Sequence, residues 1–336
     1  MSGVTTRAQK RRIGQRDLWD VIVNNDDVCF KHILPRLNRT DTFLYGVNTE
    51  TRALIKRSSR KNALGDPFRV ERMSSISTLE IAWENQSFWV GNLDFDLDCN
   101  EIRFCREVAK TNKLKLLKWA REEKKCAWDE ETIAKAADQG NIKMVKYCVV
   151  NGCPVDEMAC VCAAKNGYLR ILKYLREEAK APWDYETATE AARNGHLHIL
   201  EYLVARKFDD FDENVCHWAA LNGHLDCLKY LHEVAKAPWD WKTASAAAKY
   251  GHLHILEYLV EREFDDFDEE ACLWAAMNGH LECLKYLHEV AKAPWTFDTV
   301  YLAHENNQPE CLQYLLDNNC PLPEGWRYED GTLYAS

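Results

Sequence analysis

The sequence predicts an all-α fold, an α-solenoid of stacked helix pairs, and two periodic features carry this prediction. The first is a turn residue, usually glycine, that recurs every 27 or 28 residues between two short helical patterns. It is found at Asn112, Gly140, Gly167, Gly195, Gly223, Gly251, Gly279 and Asn307. Glycine reaches positive φ without steric cost and Asn is next best, so each residue is expected to join two helices. A fixed period of this length indicates units that pack only on their neighbours.

The second feature is the order of residue types inside one unit, for which residues 240–267 are typical. Asp240 is expected to cap the first helix, because a short carboxylate accepts hydrogen bonds from the free N–H groups of a first turn. Small residues then let a neighbouring helix approach, and an apolar stripe follows the glycine turn. The Asp recurs at Asp129, Asp156, Asp184, Asp212 and Asp268, the small residues are Ala244, Ala247 and Ala248, and the stripe is Leu253, Leu256 and Leu259.

The regular array covers about two-thirds of the 336 residues. The first 16 residues carry five basic side chains and no apolar core, so they do not resemble a secretory signal. We interpret them as a disordered tail, with a nuclear-localisation patch as the alternative. One helical piece at 77–85, before the array, has the pattern of a worn half-repeat. The predicted segments are a basic tail at 1–16, a helical region at 17–60, an irregular connector at 61–99, about eight repeats at 100–322 and a C-terminal polar cap or loose tail at 323–336.

Composition indicates which classes of partner and which cellular compartment to expect. A net charge of −10 disfavours binding to nucleic acid, and no apolar run reaches the ~18 residues of a membrane span. We therefore expect binding neither to nucleic acid nor to a membrane. We also expect the protein to be a monomer. Cys227, Cys283 and Cys311 occupy one slot of different units. Packed layers lie ~8–10 Å apart, beyond the ~6.8 Å reach of a disulfide. The 14 cysteines are therefore predicted to be thiols of a cytoplasmic or nuclear protein.

Three groups of residues have the composition of metal ligands, and each has a structural interpretation that we prefer. They are Cys148, Cys153, Cys160 and Cys162; His196 with His198 and His252 with His254; and the acidic loops 209–213 and 265–269. The cysteines fall on different predicted elements, and the paired histidines, two residues apart, do not share a helix face. The loops lack the central glycine of a calcium loop. The sequence also has no nucleotide or nucleophile motif, so we expect no metal, no other cofactor and no enzymatic activity.

The pattern Ala-Ala-x-x-Gly-His-Leu, followed by Leu-x-Tyr-Leu, resembles the ankyrin repeat at 219–231, 247–259 and 275–287. It is most similar to the short repeats of unicellular algae and large DNA viruses, which share the Pro-Trp loop. The resemblance implies a protein-binding stack whose first helices line a concave face and whose Gly-His imidazole bonds to nearby backbone. The units are about five residues shorter than the ~33 of the family, so a β-hairpin between them stays an open question.

The differences between internal copies indicate where a partner binds. Residues 191–246 and 247–302 align without a gap and differ at fifteen of 56 positions, mostly on or beside the first helix. The resemblance places that helix on the concave face, so we interpret the divergence as recognition; drift after duplication is the alternative. The predicted contact residues are Asn214, His217, Leu221, Trp241, Lys242, Ser245, Tyr250, Glu270, Leu273, Met277, Phe297, Asp298 and Tyr301.

The N-terminal region has a second family pattern. Ile33-Leu34, Leu37, Asp41, Leu44 and Val47 follow the order found in the F-box, the module that docks a substrate receptor onto a cullin-type ubiquitin ligase. The resemblance implies docking of the ligase adaptor subunit at Leu37, Leu44 and Val47; a helical cap that closes the array is the alternative. The sequence thus predicts a module that recognises a protein of unknown identity, with a ligase substrate receptor as the alternative.

Overall fold

The computed structural model describes residues 97–335, together with 70–72, 75, 76, 79, 80 and 83. Within the repeat array, side-chain positions are described from Glu101 onward. The predicted basic tail, the F-box-like positions Leu37, Leu44 and Val47, and most of the connector at 61–99 lie outside the described residues. A short 3-10 helix spans Val70–Arg72.

Sixteen α-helices in the described part, between residues 97 and 317, form eight consecutive pairs. The first helices of the pairs are α1 (Leu97–Lys110), α3 (Glu130–Asp138), α5 (Glu157–Lys165), α7 (Tyr185–Arg193), α9 (Glu213–Leu221), α11 (Trp241–Lys249), α13 (Glu269–Met277) and α15 (Phe297–Glu305). The second helices are α2 (Leu114–Glu122), α4 (Ile142–Val150), α6 (Leu169–Glu177), α8 (Leu197–Ala205), α10 (Leu225–Tyr230), α12 (Leu253–Glu261), α14 (Leu281–Tyr286) and α16 (Pro309–Asp317). Helices α10 and α14 continue as π-helical turns at Leu231–Ala235 and Leu287–Ala291. The fold class is therefore the predicted all-α stack of helix pairs.

The chain divides into two compact units, which we describe separately. In the unit that contains α1 and α2, these two helices pack together, and the Arg106 guanidinium pairs with Asp129 and Glu131 near the start of α3. The other unit contains residues 137–145 and everything described from Pro154 onward. There each first helix packs on its own second helix and, more closely, on the next first helix, whereas neighbouring second helices make looser contact. The first helices therefore form the most closely packed layer of that unit.

Residue size explains the close packing of the first helices. Ala244, Ala247 and Ala248 of α11 are completely buried, so the adjoining backbones approach without an intervening side chain. On α12 the buried stripe is Ile255, Leu256, Tyr258 and Leu259. Leu253 is only half-buried, so the predicted Leu253-Leu256-Leu259 stripe was wrong by one member.

The glycine period is confirmed as a set of left-handed turns. All eight predicted turn residues have positive φ, from 53° at Asn307 to 77° at Gly223. A second set of positive-φ residues joins one repeat to the next, and the sequence did not reveal it because most members are lysine. They are Lys125, Gly152, Lys180, Lys207, Lys236, Glu263, Lys292 and Asn319. Between residues 97 and 322 these connections contain no strand, so the described repeats lack a β-hairpin.

The Asp residues before the first helices do not all behave as predicted. The carboxylates of Asp156, Asp184 and Asp240 accept hydrogen bonds from backbone N–H groups of the following turn, at 3.1–3.3 Å. Asp212 and Asp268 occupy the same position, but their carboxylates accept from side chains instead. The expectation of a cap at every Asp was therefore wrong in the two units that begin with a Phe-Asp-Asp-Phe loop.

The C-terminal segment, predicted as a polar cap or loose tail, contains a β-hairpin. Strands β1 (Arg327–Glu329) and β2 (Thr332–Tyr334) form an antiparallel hairpin in which Tyr328 faces Leu333. Trp326, just before it, packs its indole 5.0 Å from the His304 ring and 5.9 Å from the Tyr301 ring of α15. The segment from 323 onward thus lies against the last repeat.

The cysteines of the described part are free thiols, and all of them except Cys162 are buried. Burial raises the pKa of Cys216 and Cys272, which share one slot of two units, to about 12. They act as small apolar side chains in the core, as predicted. No helix in the described residues has the length and apolar character needed to cross a membrane.

Each glycine turn is covered by a side chain of the next repeat. The His252 imidazole lies on Gly223, where an added Cβ would be only 2.8 Å from the ring, and its Nε2 donates to Leu221 O at 3.1 Å. The same bond recurs from His196 to Lys165 O, from His224 to Arg193 O and from His280 to Lys249 O, at 3.0–3.1 Å. Tyr168 and Gln308 take the place of the imidazole over Gly140 and Gly279. The Gly-His pair is therefore a contact between repeats.

We expect Gly251→Val to destabilise the protein by more than the ~1 kcal/mol that a left-handed backbone alone costs an L residue. The added Cβ would also lie 2.7 Å from Nδ1 of His280. Gly152→Val is the matched control, because Gly152 also has positive φ (76°) but nothing within 4 Å of the added atom. Urea unfolding should show the larger loss for Gly251→Val; equal losses would contradict the role of the imidazole contact.

The same contact predicts a pH dependence of stability. Burial lowers the pKa of His196 and His252, so below about pH 6.5 the unfolded chain binds protons that the folded chain resists. The free energy of unfolding should therefore fall as the pH drops from 7.5 to 5.5. A His196→Gln, His252→Gln double variant, which uses the residue found at 308, should lose less over this range. Parallel pH profiles for variant and parent would contradict this assignment.

Candidate functional site

The solvent-facing side chains of the first helices from α5 to α15 form the candidate site, which we call the first-helix face. Large apolar side chains are exposed there: Tyr250 is 49%, Phe297 50% and Tyr301 42% accessible. Soluble proteins expose such side chains in groups mainly at interaction surfaces. All three belong to the predicted contact set, and they lie on or directly after α11 and α15.

Most of the other predicted contact residues are partly accessible. Asp298 is exposed next to Phe297. The half-buried members are Asn214, His217, Leu221, Trp241, Lys242, Glu270, Leu273 and Met277. They belong to α9, α11 and α13, so the structure brings the predicted residues onto four consecutive first helices of one unit.

Ser245 is the exception in the predicted set. It is only 5% accessible, and its Oγ donates to Oδ1 of Asp268 in the next repeat at 3.2 Å. Burial raises the pKa of Asp268, and the hydrogen bond from Ser245 opposes this shift. Ser245 therefore joins two repeats, and its predicted role as a direct partner contact is corrected.

His217 also has a contact within the stack. Its Nδ1 donates to Lys242 O at 3.2 Å, and burial lowers the pKa of the imidazole. The ring packs edge-on against Trp218 at 5.3 Å. The half-buried imidazole thus holds α9 against α11.

Two tryptophans on the face were missed at the sequence level. The Arg193 guanidinium carbon lies 3.6 Å from the centroid of the Trp218 ring, and Lys249 Nζ lies 4.1 Å from the centroid of the Trp274 ring. Glu270 accepts from the Trp274 indole N–H at 3.2 Å. Comparison of the two 56-residue copies passes over these residues because both copies carry Trp at this slot. The repeated Trp-Ala-Ala sequence at 218–220 and 274–276 was the signal that could have found them.

The tryptophans of the Pro-Trp loops have a different role. Trp183, Trp239 and Trp295 pack edge-on at 6.2–6.3 Å against a tyrosine on the second helix of the next repeat. Those tyrosines are Tyr202, Tyr258 and Tyr314, and each donates its hydroxyl to a glutamate of the preceding repeat at 2.9–3.2 Å. Burial is the main cause that raises the pKa of Tyr258 to about 12. The loops therefore serve packing between repeats, as predicted.

The groups with ligand-like composition do not converge on a metal site in the part of the chain that the structure describes. No three His, Cys, Asp or Glu side chains there are placed to hold an ion. His198 and His254 each bond through Nε2 to a glycine carbonyl of the preceding repeat, at 3.1 and 3.3 Å. In the second acidic loop, Asp266 accepts from the Trp241 backbone N–H at 2.9 Å.

Comparison with protein families agrees with this geometry. A family model described as ankyrin repeats matches the chain in three overlapping copies, at residues 161–240, 189–267 and 244–324. No curated protein matches the chain. The matched span begins in α5 and ends beyond α16, so it includes every helix that carries a predicted contact residue. Residues 161–324 of this protein are ankyrin repeats.

Proposed function

We propose that this protein binds a protein partner through the first-helix face of its ankyrin repeats. The observation that carries the proposal is the exposure of Tyr250, Phe297 and Tyr301 on the side of the stack where the first helices pack most closely. A few aromatic side chains commonly supply most of the affinity of an interface. Ankyrin repeats generally bind other proteins, so we propose recognition and not catalysis.

We also propose that the protein works in the cytoplasm or nucleus. Eleven of its cysteines are buried thiols in the described core, and burial raises the pKa of several of them. Thiols used in this way suit a reducing compartment. Imaging of a tagged full-length chain tests this location directly.

Joint replacement of Trp241, Lys242 and Tyr250 by Ala should weaken the affinity for the partner by about tenfold or more, because these side chains are solvent-accessible and aromatic residues often dominate an interface. The partner would first be isolated by affinity purification and identified by mass spectrometry. The thermal midpoint should stay close to that of the parent, since Tyr250 is exposed and Trp241 and Lys242 are only half-buried.

Ser245→Ala is the matched control and should behave in the opposite way. It removes a buried donor to Asp268, which should cost about 1–3 kcal/mol of stability and leave the affinity nearly unchanged. If the triple variant loses stability and keeps its affinity, the three residues belong to the core and the proposed face is wrong.

A substrate receptor of a cullin-type ubiquitin ligase is the second candidate, supported by the F-box-like order at Leu37, Leu44 and Val47. These positions lie outside the described residues. The full chain should then capture the ligase adaptor subunit, and Leu37→Asp should abolish capture, because a charge placed in an apolar contact lacks a partner. Adaptor capture that persists after deletion of residues 1–60 excludes this candidate. If that deletion lowers the stability of the array and no adaptor binds, the region is a structural cap.

A further inference from the structure

In the six first helices from α5 to α15, the first residue alternates between an acid and an aromatic. From α5 to α15 the residues are Glu157, Tyr185, Glu213, Trp241, Glu269 and Phe297. Tyr185 is 43% and Phe297 50% accessible, Glu157 and Glu269 are exposed, and the other two are half-buried. These six residues, which we call the acid-aromatic row, follow the loop-side edge of the first-helix face within one unit.

The spacing of the row sets a length scale for a ligand. Neighbouring helices pack ~8–10 Å apart, so two aromatics of the row are roughly 20 Å apart, with an acid midway. An extended chain advances ~3.3 Å per residue. About six residues of an extended segment would therefore separate two equivalent contacts, and about three would separate an acid contact from an aromatic one.

The loops before α9 and α13 add negative charge beside the row. Residues 208–216 and 264–276 contain no Lys or Arg, and Asp209, Asp210 and Asp265 are exposed within them. Asp266 is fixed next to an aromatic of the row, because it accepts from the Trp241 backbone N–H at 2.9 Å. Carboxylates, with Glu186 the largest contributor, raise the pKa of the Tyr185 hydroxyl, as expected at an edge with negative potential.

The nearby cations of the face are committed to other contacts. Lys242 Nζ lies 3.5 Å from the Asp240 carboxylate. Arg193 pairs with Glu190 and covers Trp218, and Lys249 covers Trp274, both at the other end of the first helices. The acids of the row therefore remain available to a ligand that brings its own positive charge.

We propose that the acid-aromatic row binds an extended, basic segment of the protein partner, with Arg or Lys about every six residues and an apolar residue midway between them. Carboxylates bind guanidinium and ammonium groups by charge-assisted hydrogen bonds, and the aromatic faces accept apolar side chains or a stacked Arg. This inference rests on the proposed function and specifies the chemistry of the partner.

The test uses the full-length protein and a fluorescent peptide of three Arg-Lys-Gly-Leu-Ser-Gly units, with binding followed by fluorescence anisotropy at low salt. A permuted peptide of the same composition, with all basic residues contiguous, is the spacing control. The spaced peptide should bind at least about tenfold more tightly than the permuted one. Binding of the spaced peptide should also weaken as salt is raised, because charge pairs at a surface are screened.

Glu213→Gln combined with Glu269→Gln should lower the affinity for the spaced peptide about tenfold. Glu201→Gln combined with Glu257→Gln is the matched control, since it makes the same charge change at exposed sites of α8 and α12. The control should stay within about twofold of the parent. Equal binding of both peptides, or equal loss in both double variants, would overturn the inference. A purified partner that depends on Trp241 and Tyr250 but lacks a basic segment would also overturn it, while leaving the proposed function intact.

Discussion

The stack depends on one constraint, the fit between a left-handed glycine turn and the imidazole of the next repeat. Gly223 has a φ of 77°, and the His252 ring occupies the space that a Cβ on this residue would need. The imidazole donates to the carbonyl of Leu221, the last residue of α9, which has no partner within its own helix. This one residue pair thus reverses the chain between two helices, fixes the distance between neighbouring repeats and supplies a hydrogen bond to the last carbonyl of α9.

The contacts that hold the repeats together and the proposed recognition surface lie on different parts of the repeat. The Pro-Trp loops and the second helices supply packing, with Trp239 between His232, stacked at 3.5 Å, and Tyr258 of the next repeat. The buried alanines of the first helices bring their backbones together. The solvent-facing positions of the first helices do not take part in these packing contacts. Trp241 and Phe297 can therefore differ between copies while the contacts that hold the copies together stay the same.

Features set by local chemistry could be predicted from the sequence, whereas several features set by contacts between repeats could not. The glycine turns were predictable because φ depends on the residue itself. Ser245 was placed on the face because it differs between copies, yet Asp268 of the next repeat buries it. The second turn was missed because Lys236 has no glycine to mark its φ of 56°. Trp326 gave no local signal that it would pack on α15.

Hydroxyl-radical footprinting of the protein, alone and with its purified partner, tests whether the first-helix face is the binding surface. Phe297 is 50% accessible on the first-helix face, while Val234 and Val290 are 53% and 52% accessible at the ends of second helices. Similar exposure makes these residues internal references for one another. The account predicts that the partner protects Phe297, Tyr250 and Tyr301 and leaves both valines as reactive as in the free protein. Protection of the valines with unchanged oxidation of the aromatics would contradict it.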